Sequence, residues 1–143
     1  MSNWNKDLFI NHLRDVCSRE VAKIGVLIIE FTEKYADDIS WGRGTDHGTL
    51  TFRCNSDEGP LPLFHMTSTG QLNLQINFMR NKEIPPMVIR DMVIKLEANF
   101  LRDYNAIEYP SDVFVPIDEL FYTENQVVKF LKTMEGCTYR LKQ

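Results

Sequence analysis

Residues 47–79, HGTLTFRCNSDEGPLPLFHMTSTGQLNLQINFM, constrain the fold more than any other stretch. From Gln71 to Phe78 the side chains alternate without a break. Leu72, Leu74, Ile76 and Phe78 fall on one side, and Gln71, Asn73, Gln75 and Asn77 on the other. A period of two is that of a strand with one buried face. Leu50, Phe52 and Cys54 against Thr49, Thr51 and Arg53 repeat it. With a third run between them, these segments predict three antiparallel strands. The joins fall at Asp57-Glu58-Gly59-Pro60 and Thr67-Ser68-Thr69-Gly70, both rich in turn formers. Pro62 puts the middle strand at an edge or delays its start, because it has no N–H to give to a ladder.

The flanks carry the helical period instead. Trp4, Leu8, Leu13 and Val16 approximate a stripe over residues 4–17, although Asn3, Asn5 and Asn11 weaken it. Ser18 is placed to cap a second helix in which Val21, Ile24, Ile28, Phe31 and Tyr35 share a face. Pro85-Pro86 opens a helix predicted over about 86–102, with Ile89, Met92, Val93, Leu96 and Phe100 along one side. Thr123 followed by Gln126 is a capping-box pattern for a last helix over about 124–135, which Gly136 is expected to end. Cys137, Tyr139 and Leu141 then alternate as a closing strand. Stripes of both periods need cover, and helices laid on one face of a sheet supply it. The expected fold is a single α+β domain over residues 1–143, an antiparallel β-meander of three to five strands with helices packed on one face.

Composition narrows the function. A chain of 143 residues with 43% apolar and 25% charged residues supports its own core without a metal or disulfide. A net charge of −4 argues against indiscriminate coating of nucleic acid. Cys17, Cys54 and Cys137 are widely spaced and odd in number, so free thiols in a reducing compartment are expected. MSNWNKDLF is neither a basic leader nor an apolar segment, and no run is long enough to span a bilayer; a cytoplasmic protein with no membrane contact is the expectation. No cofactor is expected. Acids cluster in residues 103–125 and bases in 126–143, as oppositely charged surfaces.

Asp46, His47 and His65 are the residue types of a His-His-carboxylate metal site, though convergence of three ligands is not readable from spacing. The direction of His65 depends on whether Phe64 and Met66 face inward. No serine sits in a nucleophile elbow, and Cys54 falls on the apolar side of its strand. Trp41-Gly42-Arg43-Gly44 offers an aromatic plane and a guanidinium on flexible backbone, suited to stacking and to bidentate contact with phosphate or carboxylate. Thr51, Arg53, Asn73, Gln75 and Asn77 lie opposite the apolar stripe as a hydrogen-bonding surface. Together with Trp41 and Arg43 they form the expected binding surface.

Ile39-Ser40-Trp41-Gly42-Arg43-Gly44, His47-Gly48-Thr49-Leu50-Thr51-Phe52 and the run from Gly70 to Phe78 resemble a small α+β accessory domain associated with prokaryotic restriction-type or defence nucleases. The resemblance reaches no catalytic motif, and the acid-then-Glu-x-Lys arrangement of such nucleases is missing. It implies a role in recognition and not in cleavage. The leading expectation is a non-catalytic interaction module whose partner is another protein. The alternative is a nucleic-acid-binding accessory domain, and the third reading a small hydrolase. Oligomeric state stays open.

Overall fold

The computed structural model describes residues 4–42, 44–56, 59–80, 86–100, 114–121 and 123–141. Two helices lead, α1 (Lys6–Val16) and α2 (Arg19–Tyr35), followed by strands β1 (Asp38–Ser40), β2 (Thr49–Ser56), β3 (Gly59–Thr67) and β4 (Gln71–Leu74). Then come α3 (Ile76–Arg80), α4 (Pro86–Phe100), the short β5 (Val115–Pro116), α5 (Ile117–Leu120) and α6 (Glu124–Leu141). The sheet is an open antiparallel meander in the order β1-β2-β3-β4-β5, with the helices on one face.

Local signals set several helix starts. Asn5 and Ser18 accept from the amides of Leu8 and Val21 at the N-termini of α1 and α2. At α6 the capping box is reciprocal: Gln126 N–H donates to Thr123 Oγ1 at 3.3 Å, and Thr123 N–H donates to Gln126 Oε1 at 3.2 Å. Between α2 and the sheet the core is a run of rings, Phe31 on Phe52, Phe52 on Phe64, and Phe64 on Phe130 of α6.

A β-bulge settles the parity of β3. Phe52 pairs with Phe64 but Arg53 pairs with Pro62, so Leu63 is the extra residue. Leu61, Phe64 and Met66 are therefore all buried opposite the apolar positions of β2, and His65 stands beside Thr51 on the other face. β4 ends beside the bulged residue. The expected strand to Phe78 stops at Leu74: Gln75 N–H donates to the carbonyl of Leu63 at 3.0 Å, and the chain turns into α3. Ile76 and Met79 then face the core at helical spacing while Phe78 is 37% exposed, so the alternation past Leu74 is not a strand pattern.

The last helix also departs from expectation. It runs to Leu141 and does not stop at 135, and no strand forms over 137–141. Val127, Phe130, Met134, Cys137 and Leu141 are buried at three- and four-residue spacing, which carries the helix through Gly136. Asp91 of α4 reaches it, pairing with Arg140 at 2.8 Å. Packing outweighs the roughly 1 kcal/mol that a glycine costs in a helix. The side chain of Phe100, expected on the core face of α4, lies outside the described residues.

The three cysteines are free thiols. Burial, with Cys54 close by, pushes the Cys137 thiol up to about 12. Below the ordinary thiol value both folded and unfolded chains hold the proton, so nothing changes there. Above it the unfolded chain ionises first and stability falls as pH rises towards about 12. Urea midpoints measured from pH 8 to pH 11 are expected to drop more steeply for the native chain than for Cys137→Ala, with a difference approaching ~1.4 kcal/mol per pH unit. Parallel profiles would refute the burial of that thiol.

Candidate site on the outer face of the sheet

The residues on the outer face come from four strands in register. Ser40 pairs with Thr51, Thr51 with His65, and His65 with Asn73, making one polar row across β1–β4. The row is internally bonded. Thr51 Oγ1 and His65 Nδ1 share a hydrogen bond of 2.8 Å, and Gln75 Nε2 donates to Asn73 Oδ1 at 2.9 Å. Arg53 Nη1 donates to Ser40 Oγ at 2.8 Å and reaches Asp38 Oδ2 at 3.4 Å. One level up, Thr49 pairs with Thr67, whose hydroxyl accepts from Gln71 N–H.

Burial divides this row into supports and contacts. Thr51 and Asn73 are 4% and 6% exposed, so they orient their neighbours and offer little surface themselves. Ser40, Arg53, His65, Gln71 and Gln75 are half-buried, and Asp38 is exposed. The only charges among these residues, Arg53 and Asp38, are paired. Chemically the face offers fixed amide, hydroxyl, imidazole and guanidinium groups with almost no net charge.

The other expected site residues lie elsewhere. Asn77 belongs to α3 and not to the strand, and its side chain lies outside the described residues. Arg43 also lies outside them. Trp41 shares the parity of inward-facing Ile39 and packs edge-on against Phe9 of α1, with ring centroids 5.5 Å apart. It seals the corner between α1 and the sheet, on the opposite side from the polar row. Gly42, at φ +83°, lets the chain turn there: a Cβ would stand 2.9 Å from the amide nitrogen of Thr49. Trp4 straps the same loop, its indole N–H donating to the Gly44 carbonyl at 2.8 Å.

The chain matches no family model, no curated protein and no solved structure.

A second polar cluster looks catalytic in composition. His12 Nδ1 and Ser68 Oγ share a hydrogen bond of 2.7 Å, and the Gly48 amide donates to the same oxygen at 2.9 Å. The serine is fully buried, however, beneath a corner where Trp4 and Phe9 press on Gly48. A nucleophile needs a path for substrate, so this is a tie fastening α1 to the β3–β4 turn. Cys17 and Cys137 are both pushed up by burial, away from the thiolate form that attacks. Among the described residues no group of three His, Cys, Asp or Glu is placed to hold a metal, and Asp46, His47 and His65 do not converge. No described helix is long and apolar enough to cross a membrane.

Parity and cross-strand pairing recover what residue type alone missed. Ser40 belongs to the row and Asp38 to the same face through its pairing with Arg53, and Ser40 alternates with Ile39 and Trp41 in the sequence.

Proposed function

We propose that this domain is a non-catalytic recognition module that docks another protein on the outer face of β1–β4. The observation that carries the reading is the bonded row Ser40, Thr51, His65 and Asn73, buttressed by Arg53 and Gln75. Side chains already held in place lose little freedom on binding, which is how a small polar surface gains affinity. Its neutrality favours a partner surface of amides and hydroxyls. A nucleic acid gains most of its affinity from unpaired cations, and Arg53 is shared with Asp38 and Ser40.

The test is the hydrogen-exchange footprint that a partner captured from source cells leaves on this chain, run with native chain, Arg53→Ala/Gln75→Ala and Lys132→Ala. The outer-face double variant is expected to weaken binding at least about tenfold, as loss of central contacts does, while Lys132→Ala, on the exposed side of α6, binds like the native chain. Binding of oligonucleotides that the double variant abolishes would favour the nucleic-acid alternative instead.

A further inference from the structure

The exposed side of α2 carries a surface that the sheet does not use. Arg19, Lys23, Val26 and Glu30 recur along it and, with Glu20, Ala22, Leu27 and Arg14 of α1, line a cleft of about 780 Å³. The residue types run in order. Arg14, Arg19 and Lys23 make the N-terminal end basic, offset in part by Glu20. Val26 and Leu27 are half-buried in the middle, and Glu30 makes the far end acidic. Lys23 is already engaged by Glu124 at 3.7 Å. Arg14, Arg19 and Glu30 have no ion-pair partner among the described residues.

Helical geometry puts the opposite charges on one line. Arg19 and Glu30 are separated by about three turns, so they lie within ~20° of each other around the axis and ~16 Å apart along it. A stripe that is basic at one end, apolar in the middle and acidic at the other is complementary to itself under a two-fold axis, the commonest symmetry of homo-oligomers.

We propose that this face of α2 pairs antiparallel with the same face of a second copy of the chain. Arg19 of each copy then meets Glu30 of the partner subunit, and the ion pair forms twice. Val26 sits beside the axis, where the small side chain of Ala22 permits close approach and the stem of Lys23 covers apolar surface. An acidic peptide in the cleft would satisfy the arginines and be repelled by Glu30. A second copy satisfies both ends.

Sedimentation equilibrium tests this by charge exchange. The native chain is expected at twice its 16.7 kDa mass. Arg19→Glu and Glu30→Arg each place like charges together and are expected to raise the dissociation constant at least about tenfold. The doubly reversed chain restores opposite charges at both contacts and is expected to dimerise again. Circular dichroism and thermal melts confirm folding, and Arg19→Gln or Glu30→Gln reads the same weakening if a reversal unfolds the chain. A native chain that stays monomeric up to its solubility limit overturns the proposal. So does a dimer indifferent to either single change, or a folded double reversal that remains a monomer.

Discussion

Phe52→Ala is expected to cost about 3–5 kcal/mol, the range for truncating a fully buried aromatic side chain. Phe52 is the middle of a chain of rings, 5.6 Å from Phe31 of α2 and 5.2 Å from Phe64 of β3. Phe64 in turn meets Phe130 of α6 at 5.8 Å, and Phe130 meets Phe121 at 5.3 Å. Removing the central ring leaves a cavity where two helices and two strands converge, and rigid neighbours of that size close over it poorly. Urea denaturation gives the difference directly. A midpoint equal to that of the native chain would mean that the helical layer does not sit on β2 and β3 as described.

Gly70→Ala is the second large effect, about 2–5 kcal/mol from two separate causes. Gly70 has φ +85° in the β3–β4 turn, where an L side chain pays roughly 1–2 kcal/mol. The added Cβ would also stand 2.9 Å from Cys17 Sγ and 2.9 Å from Val21 Cγ1, an overpacking that costs roughly 1–3 kcal/mol. The turn is anchored on both sides, by Gly70 N–H to the Thr67 carbonyl and Ile117 N–H to the Gly70 carbonyl, so it has little freedom to yield. Gly136→Ala is the internal contrast. A Cβ there meets nothing within 4 Å and φ is helical, so that variant is expected to melt higher than the native chain. Equal melts for the two variants would refute the tight seat of the turn on the α1–α2 corner.

The parts of this fold legible in the sequence are those set by neighbours in the chain. Ser18 and the Thr123/Gln126 pair sit where the caps form, because a cap is a contact over three residues. The alternation of β2 is likewise local, and Leu50, Phe52 and Cys54 are buried as it predicts. The end of β4 was not legible. It goes with a contact to Leu63, the bulged residue of a partner strand, so Ile76 and Phe78 continue an alternation that the backbone has already left. The length of α6 was hidden by Gly136, a poor helix former kept in the helix by distant packing.

The site divides the same way. Parity placed Thr51, Arg53 and Asn73 on one face, and the register joins them. It could not show that Thr51 and Asn73 are buried supports, or that His65 joins the row, since both depend on β3. The chemistry of Trp41 suits a binding surface, but it packs against the core, as its spacing from Ile39 allows. The His12–Ser68 tie spans 56 positions and leaves no local signal.

The central claim is that the helices cover one face of the sheet and leave the other to recognise a protein. The exchange footprint of the captured partner tests it most directly. The account predicts added protection in peptides covering Asp38–Ser40, Thr49–Arg53, His65 and Gln71–Gln75, lost in Arg53→Ala/Gln75→Ala. Protection confined to the helical side, with β1–β4 unchanged, would contradict it.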